Sequence, residues 1–232
     1  MFIRSIIFYI FLGIWTIFLG IICLPYLLIP TRYLRKPVNF WILGIFKLLK
    51  VICNITYEIK GKENIPNRPV IVASKHQSAF ETLALFYYID KSIFIHKRQL
   101  FYIPIFGQYL MKTNMISINR SHGASSMRKM LFQAKLKLSN GFSIVIFPEG
   151  TRKKPGEKPD YKTGFTGIYK ETESTILPVA VNSGKCWPKH TFIKNSGHIV
   201  ISFLEIIPAG LERLDIFNKI QTTIENETKK LM

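Results

Sequence analysis

An α/β fold is what this sequence predicts, with a buried sheet flanked by helices and a membrane-associated segment ahead of it. Three observations predict it. Short apolar, β-branched runs alternate with helical patterns over most of the chain. Residues 5–31 contain no charged side chain. The chain is also apolar and basic at once. Hydrophobic residues make up 48% and charged residues 20%, and 32 Lys and Arg against 14 Asp and Glu give a net charge of +18. A chain of 232 residues is one domain, or one domain with an appendage, and can bury a core without metal or disulfide staples. The composition excludes a disordered chain, a coiled coil and a collagen-like repeat. Three cysteines, Cys23, Cys53 and Cys186, cannot pair completely and read as reduced thiols facing a cytosol.

About 20 apolar residues cross the hydrocarbon core of a bilayer, so residues 5–31 read as a membrane helix. Pro25 and Pro30 end or kink it. The run is long for a cleaved signal peptide, and no small-residue cleavage site follows it. Arg4 precedes it, whereas Arg32, Arg35, Lys36, Lys47 and Lys50 follow. The positive-inside rule therefore puts the rest of the chain in the cytoplasm. Residues 36–52 read as an interfacial amphipathic helix. Lys36, Asn39, Lys47 and Lys50 share a narrow arc and apolar residues fill the remainder. A helix packed on a core would show a wider polar face. Residues 1–54 thus form a membrane-anchoring part and residues 55–232 a second domain.

The second domain is read element by element. Strands are expected at 70–73, 92–95, 115–118, 142–147, 176–181 and 199–206, each a short apolar run. Helices are expected at 79–88, 124–138, 164–171 and 211–230. The second of these stops at Asn140-Gly141, a C-terminal cap. Residues 153–162 form a polar loop with two prolines. From Lys91 to Pro148 there is no acid but there are nine bases, a field that concentrates anionic ligands and anionic lipid headgroups. A nucleic-acid partner would call for a recognised module or interleaved aromatic and basic residues, and neither is present.

Two segments carry chemistry. In residues 70–81, VIVASKHQSAFE, a buried strand runs straight into His76, and Glu81 sits where a helix opens. The two meet if His76 lies on the turn and Glu81 in the first helical turn. A carboxylate on one imidazole nitrogen then fixes the tautomer and leaves the other nitrogen as a base. Ser78-x-x-Glu81 is equally a capping box, which needs no catalysis. In residues 143–152, SIVIFPEGTR, a strand ends at Pro148 and Glu149, Gly150, Thr151 and Arg152 follow. Glycine allows close backbone approach and arginine offers a fork to phosphate. Residues 116–120, ISINR, place Arg120 at another strand end just before a helix, a phosphate-binding context. For either arginine alone the plain alternative is a solvated surface charge. Cys186, His190 and His198 match no zinc spacing, and no G-x-S-x-G elbow or Walker loop is present.

In order, these segments resemble the glycerophospholipid acyltransferase family. His76 to Glu81 resembles its His-x4-Asp motif, residues 116–120 its second block, residues 147–152 (FPEGTR) its third, and residues 176–181 (ILPVAV) its fourth. Two residues depart from the pattern. Glu81 stands for the usual Asp and is one methylene longer, and Lys75 stands before the histidine where asparagine is common. The resemblance implies a mostly buried mixed sheet of the glycerolphosphate acyltransferase type, with residues 55–232 as the catalytic domain.

It also implies a bacterial enzyme at the inner membrane whose catalytic domain faces the cytoplasm. The enzyme would move an acyl chain from acyl-CoA or acyl-carrier protein to the sn-2 hydroxyl of lysophosphatidic acid, making phosphatidic acid for phospholipid synthesis. His76 is then the general base and Glu81 its orienting partner. Arg152, then Arg120 and Lys97, bind the substrate phosphate, and Glu149, Gly150 and Thr151 shape the loop around it, Glu149 orienting the loop or holding the arginine. No metal, cofactor or covalent acyl-enzyme is implied, and the remaining partners are anionic membrane lipids. The rival readings are an acyltransferase for another lysophospholipid or a lyso-aminolipid, and a catalytically degenerate lipid-binding protein.

Overall fold

In the computed structural model, residues 1–103, 105–113, 115–118 and 123–232 are described, Lys97 and residues 123–124 by their backbone alone. The described residues form seven strands: β1 (Ile55–Lys60), β2 (Ile71–Ser74), β3 (Ser92–Lys97), β4 (Ile116–Ile118), β5 (Ser143–Ile146), β6 (Ile176–Val181) and β7 (Gly197–Phe203). They build one sheet in the order β1-β7-β6-β2-β5-β3-β4. Every pairing is parallel except β6 with β7, so the sheet is mixed. Every residue of β2, β5 and β6 is buried. That burial on both faces is why these strands read as unbroken apolar runs instead of alternating ones.

Side chains of β2 go alternately to two cores. Val72 joins the one beneath α1 (Phe2–Ile22), α2 (Arg35–Cys53) and α3 (Phe80–Tyr88). Ile71 and Ala73 join the other, beneath α5 (Gly123–Ser139), α6 (Gly164–Thr172) and α7 (Arg213–Leu231). The predicted stop after α5 is made by Gly141 at φ +83°, with the Phe142 N–H returning to the Lys137 carbonyl at 3.0 Å.

Three features differ from the sequence reading. β1 was not anticipated. It is a half-exposed edge strand whose Glu58 and Lys60 break the apolar signal, and its pairing partner β7 lies 142 residues away. The helix α4 (Phe106–Lys112) was also missed, because two turns give too little periodicity to recognise. The third concerns α2, which the sequence places at the membrane interface and which is in fact also a core helix. Ile42, Ile45, Phe46, Leu49 and Cys53 are buried against the sheet and α3, while Lys36, Phe40, Leu43, Lys47, Lys50 and Val51 stay exposed. Its apolar arc is wide because core residues and the exposed Phe40, Leu43 and Val51 both contribute to it, which the width of the polar face did not reveal.

Among the described residues α1 is the one helix long and apolar enough to cross a membrane. It packs antiparallel on α2. The Trp15 Nε1–H donates to the Trp41 carbonyl at 3.0 Å, and the Trp41 Nε1–H donates to Thr16 Oγ1 at 3.1 Å. Contact with the domain continues along its length. Ser5 Oγ accepts the Lys194 N–H at 2.8 Å, and the Tyr109 hydroxyl donates to the Gly20 carbonyl at 2.7 Å. The opposite side exposes Ile3, Ile7, Ile10, Ile14, Ile17 and Ile21, one stripe at helical spacing.

The hairpin depends on Gly44, since a Cβ there would meet the Trp15 indole. Gly44→Val should lower stability by about 1–3 kcal/mol through overpacking and red-shift tryptophan emission. Denaturant unfolding and fluorescence read both effects. An unchanged midpoint and spectrum would mean that α1 does not rest on α2.

Candidate active site

The β2, β5 and β6 strands are adjacent and parallel, so their C-terminal ends share one edge of the sheet, where open α/β folds bind ligands. The chain leaves β2 through Lys75 and His76, β5 through residues 147–152, and β6 through Ser183. Topology thus brings the separate sequence blocks together.

Glu81 lies in the first turn of α3 and is fully buried. His76 Nδ1 lies 2.9 Å from its Oε1. The same oxygen accepts the main-chain N–H groups of Gln77 and Ser78, both at 2.7 Å. The Ser78 hydroxyl donates to Oε2 at 2.6 Å and the Ser183 hydroxyl at 2.7 Å. Capping and orientation are therefore not alternatives, because one carboxylate does both. Burial alone would push the Glu81 carboxyl up, but the bond and charge of His76, with the Ser183 and Ser78 hydroxyls, hold it below the usual carboxylate range. An ionised Glu81 accepts the Nδ1 proton and leaves Nε2 bare as an acceptor. The imidazole lies flat on Phe147, with ring centroids 3.9 Å apart and an interplanar angle of 16°.

The 147–152 loop closes over this pair. Gly150 sits at φ +66°, a conformation that favours glycine, and its N–H returns to the Phe147 carbonyl at 2.9 Å. The Lys153 N–H donates to the His76 carbonyl at 2.8 Å, so the residue next to Arg152 is bonded to the His76 turn. Arg152 is half-buried and makes no ion pair among the described residues. Thr151 is exposed. Of the two roles expected of Glu149, holding Arg152 is not what the geometry gives. Glu149 is buried, accepting Lys75 Nζ at 2.7 Å and the His76 N–H at 2.9 Å. Arg120 and the Lys97 side chain lie outside the described residues.

An apolar cavity of about 190 Å³ lies between α1, α2, α3, β3 and α4. Its walls include Leu19, Trp41, Leu83, Phe86, Phe94 and Phe106. Phe94 packs on Phe147 at 6.3 Å between centroids, which links the cavity to His76.

Sequence reasoning missed Ser183, which reaches Glu81 from 102 residues away, and the placement of Phe147 under the imidazole. No local spacing signals either contact. Only the FPEGTR block, by containing Phe147, pointed to its neighbourhood.

The Acyltransferase family model matches residues 56–182. The chain is 34% identical over 203 residues to the 1-acyl-sn-glycerol-3-phosphate acyltransferase of Pseudomonas aeruginosa, covering 86% of this chain and 78% of that one. It is 27% identical over 172 residues to the 1-acyl-sn-glycerol-3-phosphate acyltransferase alpha of Mus musculus, spanning 59% of that protein. Its fold is similar to the crystal structure of the 1-acyl-sn-glycerophosphate acyltransferase of Thermotoga maritima. The TM-score is 0.81 at 22% identity, over 99% of this chain and 95% of that one. The protein belongs to the acyltransferase family.

His76→Ala should lower kcat by about 10²–10⁴-fold while the fold survives, the loss expected of a general base. Glu81→Gln should lose more rate than Ser183→Ala, which deletes one of two hydroxyl donors to Oε2. Glu81 also predicts a pH dependence of stability. A carboxyl lowered in the folded state stabilises fully above its unfolded pKa, and that stability is lost as pH falls through the folded value. Glu81→Gln should therefore flatten the acid side of the unfolding profile. A steep acid loss in that variant would assign the dependence to other carboxylates.

Proposed function

We propose that the protein transfers an acyl chain from an acyl thioester, acyl-CoA or acyl-carrier protein, to the sn-2 hydroxyl of lysophosphatidic acid, forming phosphatidic acid for phospholipid synthesis. The observation that carries this reading is the His76–Glu81 pair, with Phe147 packed both on the imidazole and on Phe94 of the apolar cavity wall, and with Arg152 on the same loop as Phe147. His76 Nε2 takes the hydroxyl proton as the oxygen attacks the thioester carbon. Glu81 holds the Nδ1 proton and offsets the imidazolium charge that develops. The C–S bond then breaks, and the departing thiolate recovers the proton from His76. Atoms balance without a metal or a covalent enzyme intermediate.

The cavity suits an acyl chain, since its walls are hydrocarbon and aromatic. Arg152 supplies the bidentate fork for the acceptor phosphate, with Arg120 and Lys97 as further cations and Gly150 and Thr151 forming the loop. Residues 1–54 act as the membrane element and residues 55–232 as the catalytic domain, a division of roles over one shared core. Because α1 touches the domain from Ser5 to Gly20, we infer that it lies in one leaflet. Its isoleucine stripe faces the acyl chains, and the catalytic domain sits on the cytoplasmic side of a bacterial inner membrane. Lys36, Lys47 and Lys50 meet anionic headgroups.

Purified protein given lysophosphatidic acid and acyl-CoA, or acyl-carrier protein, should release phosphatidic acid. No product with either donor would overturn the reading. Arg152→Ala should raise KM for the acceptor more than for the donor, and Arg152→Lys should restore it only in part. Replacing Lys36, Lys47 and Lys50 by Gln should remove the salt-sensitive part of vesicle binding, about 1 kcal/mol per lysine. Binding through α1 should persist at high salt. If salt washes the wild type off vesicles, the isoleucine stripe is not embedded.

A further inference from the structure

The chemistry above uses His76 and Glu81 and leaves a second buried charge cluster unexplained. Lys75 is 2% exposed. Its ammonium donates at 2.7 Å to Glu149 Oε1 and at 2.7 Å to Glu225 Oε1 of α7. The Tyr161 hydroxyl, from the loop after FPEGTR, donates to the same Glu225 oxygen at 3.0 Å. The second Glu149 oxygen holds the His76 main-chain N–H at 2.9 Å. One cation therefore bridges the turn that carries the base, the loop that carries Arg152, and a helix near the end of the chain.

The arrangement is a demanding one. Burial pushes the Glu149 carboxyl up, Lys75 and the His76 N–H pull it down, and Glu225 pushes it up again. A buried carboxylate holds its charge, and with it a strong acceptor for a main-chain N–H, only while a cation faces it. Asparagine, common before the histidine in the family that the motifs resemble, would supply no cation. In this chain Lys75 donates to both Glu149 and Glu225, and the Tyr161 hydroxyl donates to the same Glu225 oxygen.

We propose that Lys75 is a positioning residue for the reaction: through Glu149 it fixes the His76 turn against the 149–152 loop, and through Glu225 it braces both on α7. The proposal rests on His76 acting as the base, whatever the acceptor.

Full-length protein in detergent tests it by hydrogen exchange with mass spectrometry beside steady-state kinetics. In Lys75→Met, amides in segments 75–78 and 148–153 should exchange at least about 10-fold faster, while the β7 strand stays as protected as before. The kcat should fall at least about 10-fold with little change in either KM. Lys75→Arg, which keeps the charge, should restore most of both. Glu225→Gln, which leaves the Lys75–Glu149 pair in place, should loosen the same two segments to a smaller extent. Unchanged exchange in both segments would overturn the proposal, as would loosening spread equally to β7 or wild-type kcat in a folded Lys75→Met. If wild type yields no phosphatidic acid while the exchange pattern holds, the substrate assignment fails and the clamp stands.

Discussion

Glu81 is sealed from water, and the strand ends around it supply five donors to its two oxygens: His76 Nδ1, the Gln77 and Ser78 amides, and the Ser78 and Ser183 hydroxyls. A buried carboxylate with fewer partners would take up a proton or destabilise the fold. Satisfying it constrains three chain segments at once. The β2–α3 turn must point two successive amides at one oxygen, α3 must begin where it does, and β6 must end with a hydroxyl within reach. The geometry of the His76–Glu81 pair is thus set by the requirement to satisfy a buried carboxylate. It also shows how a glutamate fits where the motif usually has aspartate. The extra methylene lets the carboxylate reach the turn amides as a helix cap while one oxygen still meets the imidazole.

Most of the sheet was legible in the sequence because its central strands are buried on both faces and announce themselves as apolar runs. The edge strand β1 was not, since half of it faces water and its charges mask the alternation. The site shows the same division. His76 and Glu81 are five residues apart, so local geometry brings them together, and FPEGTR is a contiguous loop. Ser183 joins Glu81 across 102 residues and Glu225 joins Lys75 across 150. Such contacts depend on strand order, which one sequence does not display. Glu149 was legible as a loop residue but not as a buried one, because burial there is set by Lys75 and α7.

The α2 helix shows how composition misleads when an element serves two environments. Its apolar arc is wide enough to look entirely membrane-directed. Yet Ile42, Ile45, Phe46 and Leu49 belong to the core of the domain, and Phe40, Leu43 and Val51 share the outer face with lysines. A helix that is apolar nearly all round is expected where core and lipid lie on opposite sides.

The same helices shape the surroundings of His76, the general base of the proposed reaction. The α1–α2 hairpin walls the apolar cavity, and Phe94 and Phe147 carry that wall to the flat face of His76. Water is therefore kept from one face of the imidazole by aromatic carbon, and Glu81 is kept from it altogether. In such a medium the attraction between a forming imidazolium and a fixed carboxylate is much stronger than it would be in water. Charge develops only when the base accepts a proton, so the interaction favours the reacting state over the resting one. On the proposed function, the apolar wall and the dry carboxylate are one construction, and the α1–α2 hairpin that builds the wall takes part in the chemistry.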